Sequence, residues 1–257
     1  MDNRYYEFTV TTTYTLFVEK FLGSFLNDEI SIRIGKHIGR CCYPIAGYVL
    51  KKQSKKCSSI EDILDLAFNF QFLGINIRPF QVKEEIANLL QVLESVRPKV
   101  ILEIGTACGG TLFLFSRVAS VDGTIISVDL QEGFFPNWKT SFYRLFPENG
   151  QKLYLLKANS HDVNTIQLIE KILGNFDIDF LFIDGDHSYE GVKKDFEMYS
   201  PLVRSGGIIA LHDIVPGPPE YVGGVPKFWK EVKRKFNHME FVSNKKQQCF
   251  GIGLLYV

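Results

Sequence analysis

Two short stretches of the chain concentrate side chains that can move a proton: Asp184-Gly185-Asp186-His187 and His212-Asp213. An imidazole titrates near ~6.5 and suits general-base work at neutral pH, whereas a carboxylate needs its pKa raised or its target acidified. A third stretch, Glu103-Ile104-Gly105-Thr106-Ala107-Cys108-Gly109-Gly110-Thr111, sets an acid two residues ahead of a glycine turn. Glycines let a backbone approach a ligand closely, and the helix start that follows offers unpaired N–H groups. The spacing is not the G-x-G-x-x-G of a dinucleotide site. A pyrophosphate is poorly served by a carboxylate beside its turn; a ligand carrying an ammonium or a sulfonium is well served by Glu103. Asp129 and the polar run Asn159-Ser160-His161-Asp162 complete the candidates.

The elements that must position these groups alternate. The run from Val100 to Ile104, apolar except for Glu103, reads as a buried parallel strand, followed by a helix from Thr111 to Ala119. Further strands are expected over 123–129, 153–158, 178–184 and 207–213, with helices over 138–146, 163–173 and 190–202 between them. Such alternation implies an α/β fold with a parallel sheet wound on both faces. All five strands end in polar residues or glycine. At ~4.8 Å per strand in the order 3-2-1-4-5, their ends would line roughly 19 Å of cleft, where ligands bind in open α/β sheets. Upstream, Ser58 or Ser59 followed by Glu61 and Asp62 signals a helix start over 60–70. Pro79 keeps 76–81 extended, and 81–96 is an amphipathic helix with Ile86, Leu89, Leu90 and Leu93 on one face. The 14–26 segment has apolar residues at mixed helical spacing, and Pro44 and Gly47 suggest a broken helix over 38–50. Downstream, the prolines of 215–226 read as a long irregular loop, 226–236 as a helix, and 239–242 with 250–257 as a closing antiparallel hairpin.

The form E-x-G-x-x-x-G at Glu103–Gly109 resembles the first motif of class I S-adenosylmethionine-dependent methyltransferases. Phe182-Ile183-Asp184-Gly185-Asp186-His187-Ser188-Tyr189 and Gly206-Gly207-Ile208-Ile209-Ala210-Leu211-His212-Asp213 narrow this to a likeness with small-molecule O-methyltransferases of the cephalosporin-hydroxylase and macrocin O-methyltransferase type. The likeness covers about residues 58–257, including 225–229 and the ending from Gly251; residues 1–57 lie outside it. It implies a Rossmann-like doubly wound, mostly parallel seven-stranded sheet of order 3-2-1-4-5-7-6, the last strand antiparallel. The expected organisation is an N-terminal helical extension or lid over 1–80 and a methyltransferase domain over 81–257.

Site roles follow. Asp129 would accept the ribose hydroxyls, and Asn159, Ser160 and His161 would meet the adenine edge, unless they cap the next helix. The Gly105–Thr111 turn, with Gly109 and a hydroxyl from Thr106 or Thr111, would lie along the methionine tail beside Glu103 and Asp184. The resemblance puts the base on the turn after strand four, as Asp186 or His187, and a divalent metal on Asp184, His212 and Asp213. His212 departs from the carboxylate pair common in the family, and imidazole suits Mn²⁺, Fe²⁺ or Zn²⁺ better than Mg²⁺. Phe80 and Gln81 are lid candidates. A hydroxylase-type iron triad would need a second histidine that no nearby spacing reveals.

Composition excludes more than it assigns. With 257 residues, 46% of them hydrophobic, the chain can bury one sizeable core. Equal numbers of basic and acidic residues, 29 each, disfavour a nucleic-acid partner. Five cysteines without paired C-x-x-C spacing read as reduced thiols of a cytoplasmic protein. No signal-peptide pattern and no membrane-length apolar run are expected. The partner is therefore a small-molecule acceptor, and the apolar N-terminal segment could serve a homo-oligomer. Competing readings are an NAD-dependent oxidoreductase and a non-catalytic nucleoside-binding protein of the same fold.

Overall fold

The computed structural model describes residues 28–73, 75–130, 137–148 and 150–257; the 14–26 segment lies outside them. In chain order the elements are α1 (Asp28–Ser54), α2 (Ile60–Asn69), β1 (Gln71–Phe72), β2 (Ile75–Asn76), α3 (Lys83–Val96), β3 (Val100–Ile104), α4 (Gly110–Val118), β4 (Thr124–Asp129), α5 (Asn137–Tyr143), β5 (Lys152–Lys157), α6 (Val163–Leu173), β6 (Ile178–Ile183), α7 (Tyr189–Tyr199), β7 (Val203–His212), α8 (Pro219–Val222), α9 (Val225–Val232), β8 (Asn237–Phe241) and β9 (Ile252–Tyr256).

The main sheet has seven strands in the order β5-β4-β3-β6-β7-β9-β8, and β9 runs antiparallel to both its neighbours. This is the expected 3-2-1-4-5-7-6 arrangement, with β8 and β9 as the closing hairpin. Successive residues of a strand face opposite sides, and each side has its own core. Ile101, Ile125, Phe180, Phe182 and Ala210 pack with α2, α3 and α4; Phe115 meets Phe180 and Phe182 edge-on at 5.2 Å. Leu102, Ile104, Leu181, Ile183 and Leu211 pack on the other side with α6, α7 and α9. Ala46 and Leu50 of α1 join the first of these cores, as do Leu64 and Ala67 of α2.

Local chemistry sets the element ends. Ser59 caps α2 in a capping box with Asp62. Asp162 caps α6, and Ser188 caps α7 by accepting from the Gly191 N–H at 3.0 Å. Two sequence expectations are corrected, and one element was unforeseen. The helix expected to break near Pro44 is continuous from Asp28 to Ser54: proline removes one donor, and the turns on either side carry the helix across. The 215–226 loop contains the short α8. The small β1–β2 ribbon, two residues per strand, was below what alternation can reveal.

Candidate functional site

Acids from three adjacent strands converge on one turn. Glu103 of β3 is fully buried and stands directly opposite Ser127 of β4. Ser127 donates its hydroxyl to Glu103 Oε2 at 2.6 Å, and Thr111 donates to Oε1. The Thr106 hydroxyl closes this network at 2.6 Å from that of Ser127. Burial pushes the Glu103 carboxyl up to about 8, against the opposing effect of the two hydroxyls, so it is mostly neutral at pH 7. Asp129, at the end of β4, accepts with Oδ2 from the N–H groups of Thr106 and Ala107 at 2.9 and 2.8 Å. Burial raises its pKa while those N–H bonds lower it, burial prevailing. The turn they hold contains Ala107 at φ 42°, a left-handed conformation costly for a residue with a Cβ.

The third acid lies across the same turn. Gly105 takes φ +96°, and a Cβ there would meet the Asp184 carbonyl oxygen at 2.1 Å. Only glycine fits so close an approach. Asp184 follows β6; its Oδ2 accepts from the Gln81 amide at 2.7 Å, and its Oδ1 lies 3.1 Å from His212 Nδ1 and 3.5 Å from His187 Nε2. Asp213 Oδ2 faces the same rings, 3.3 Å from His212 Nδ1 and 3.4 Å from His187 Nδ1, while its Oδ1 accepts from the Phe250 N–H. His187 Nδ1 also lies 2.7 Å from the Tyr221 carbonyl. Asp213 adopts φ 60°. Two carboxylates and two imidazoles thus form one cluster.

Its electrostatics are mutual. Burial opposes the charge on Asp184, but the His212 charge and the bonds from both histidines hold it well below the usual carboxylate range. Burial works against protonation of His187, yet Asp184 and Asp213 raise it to about 9. His212 is raised for the same reason, and burial again opposes it.

Ligand atoms from Asp184, His212 and Asp213 lie within 4.8 Å of one another, so these three residues could hold a metal ion; His212 turns Nδ1 to both carboxylates, and its Nε2 is buried with no partner. His187, carried in by the turn that precedes α7, lies beside these residues, 3.5 Å from Asp184 Oδ1, but is not one of the three whose ligand atoms converge.

The other predicted residues fall as follows. Asp186 is exposed, and its Oδ1 accepts from the Ser188 N–H at 2.9 Å, at the start of α7. Asn159 is exposed after β5, its Oδ1 accepting from the His161 N–H; the Ser160 carbonyl accepts from the Tyr199 hydroxyl at 2.6 Å. Gly109 takes φ +79° as the residue preceding α4. Sequence reasoning missed Ser127, and it missed the fully buried Asp195, 3.2 Å from His161 Nε2. Both carried a signal, being polar at inward positions of otherwise apolar faces. The five cysteines are free, and no helix of the described residues is long and apolar enough to cross a membrane.

A segment before α3 closes the rim. Gly110 opens α4 so close to this strap that a Cβ would lie 2.5 Å from the Ile77 carbonyl oxygen and from the Pro79 nitrogen. Between strap and turn lies a pocket lined by Arg78, Gln81, Thr106, Cys108, Thr111 and Asp184, among others.

Comparison with known proteins adds four findings. Residues 102–214 match the family model described as a methyltransferase domain. Protein R132 of Acanthamoeba polyphaga mimivirus is 30% identical over 136 residues, covering 52% of this chain and 58% of that protein. Protein y4gI of Sinorhizobium fredii is 26% identical over 153 residues, 55% of this chain and 16% of that one. The chain thus spans little more than half the length of the first relative and a small part of the second. Among solved structures, an O-methyltransferase from Bacillus cereus in complex with SAH has a TM-score of 0.53 at 18% identity, covering 83% of this chain and 97% of that one; at that identity the likeness is one of fold.

Proposed function

We propose, on the premise that residues 102–214 are a methyltransferase domain of the class I S-adenosylmethionine-dependent fold, that the chain is an O-methyltransferase moving a methyl group from S-adenosylmethionine to a hydroxyl of a small molecule. The observation that carries this reading is the convergence of Glu103, Asp129 and Asp184 on the Gly105–Ala107 turn. With Glu103 bracing the turn from beneath, the carboxylates of Asp129 and Asp184 at the strand ends suit a cationic nucleoside better than a pyrophosphate. Asp129 would accept the ribose hydroxyls, and the 159–161 segment stands beyond β5 for the adenine.

Methyl transfer needs alignment in line and removal of one proton. The sulfonium–carbon bond breaks as the oxygen–carbon bond forms, the sulfur becomes a neutral thioether, and the hydroxyl proton leaves to a base. Of the two candidates on the turn after β6, His187 reaches the cluster and Asp186 is folded onto the Ser188 N–H, so His187 takes that role. Asp184, His212 and Asp213 would hold a divalent cation. Such a cation would acidify a bound hydroxyl and neutralise the carboxylates that hold the His187 proton.

The reading is tested by incubating the intact protein with methyl-labelled S-adenosylmethionine and a panel of hydroxylated acceptors, sugars and phenolic natural products included, with and without EDTA. Label transferred to an oxygen, and lost on chelation, is the expected result. Transfer insensitive to EDTA would remove the cation from the proposal; transfer only to nitrogen or carbon would overturn the O-methylation.

A further inference from the structure

The strap before α3 presents an unexplained polar atom to the cleft. Gln81 is only 5% exposed, and its Oε1 is buried with no hydrogen-bond partner. Which end of the amide this is follows from chemistry: the other end lies 2.7 Å from a carboxylate oxygen of Asp184, an ionised carboxylate only accepts, and so the nitrogen must face Asp184. The remaining oxygen is an acceptor without a donor, and a buried group left in that state calls for a ligand. Its neighbours in the pocket are the Gly105–Cys108 turn and Arg78, the one cation among the described lining residues. Arg78 is exposed on the rim, with its guanidinium 5.8 Å from the centre of the Phe68 ring.

Glu103 does not fill the need for an ammonium partner. It is fully buried beneath the turn, and both its oxygens are engaged by Ser127 and Thr111. We propose that the strap reads the zwitterionic amino-acid tail of the methyl donor, Gln81 Oε1 accepting from its α-ammonium and Arg78 pairing with its α-carboxylate. This rests on the methyl-donor reading and assigns the tail to a segment outside the 102–214 match. Because the same Gln81 amide holds Asp184, donor binding and the Asp–His cluster are joined through one side chain.

The test is calorimetric, with S-adenosylhomocysteine and its α-deamino analogue as probes and thermal melts run alongside. The unaltered protein should bind S-adenosylhomocysteine about tenfold or more tighter than the deamino analogue, as the loss of a charge-assisted bond implies. Gln81→Met, similar in length, should cost about the same factor for S-adenosylhomocysteine and less than about twofold for the analogue; Arg78→Gln should weaken both through the shared carboxylate. Equal affinity of the unaltered protein for the two probes, or equal losses with both in the Gln81 variant, would overturn the assignment to Gln81. An Arg78→Gln variant that binds both probes as before would overturn the carboxylate contact. Failure of the unaltered protein to bind S-adenosylhomocysteine at all would instead sink the methyl-donor reading on which the proposal stands.

Discussion

Glu103 shows how much one buried side chain can report. In water it would ionise near 4.5, but its burial lifts that to about 8, so folding carries a proton with it. The folded state binds more protons than the unfolded chain between those values, and stability from this group must therefore fall as pH rises from about 4.5 through about 8. Glu103→Gln keeps the shape and supplies a neutral partner for the Ser127 and Thr111 hydroxyls. Denaturant melts across pH 5–9 should show the slope in the parent and a flatter profile in the variant; each unit of pKa difference is worth about 1.4 kcal/mol. Identical profiles would mean that Glu103 is ionised in the folded protein. At this scale the sequence was legible where an acid interrupts an apolar strand, as Glu103 does, or ends one, as Asp129 and Asp184 do. What it hid were partners brought from afar: the Gln81–Asp184 bond joins residues 103 apart, and no local pattern encodes such a pair.

At the scale of elements, periodicity was enough for the sheet and its helices, because buried parallel strands and amphipathic helices write themselves in apolar spacing. It was insufficient where tertiary packing overrides propensity, as in α1, which runs through Pro44. The glycine turn was read as room for a ligand. The structure adds that protein atoms demand those glycines too: the Asp184 carbonyl at Gly105 and the 77–79 strap at Gly110. This yields a prediction about fit. Gly110→Ala raises intrinsic helix propensity at the first residue of α4, yet its methyl would lie 2.5 Å from strap backbone. Overpacking of that kind costs about 1–3 kcal/mol, a loss of about 2–10 °C in melting temperature for a chain of this size, with weaker donor binding as the strap lifts. A melting temperature at or above the parent's would show that the strap is free to move away.

Across the whole molecule, three layers bring five strand ends to one rim, and Ala46, Leu50, Leu64, Phe70, Ile75 and Ile77 are packed into the same core that backs the sheet. The rim was inferable from the sequence because the alternation of elements fixes where strands end. The acceptor was not, since the segments that would enclose it, the strap and the proline-rich 215–226 stretch, carry no repeating pattern. The most direct measurement is a calorimetric titration of the intact folded protein with S-adenosylmethionine and, separately, with NAD⁺. Micromolar binding of the first and none of the second is the predicted result; no heat with S-adenosylmethionine, or preference for the dinucleotide, would contradict the account at its centre.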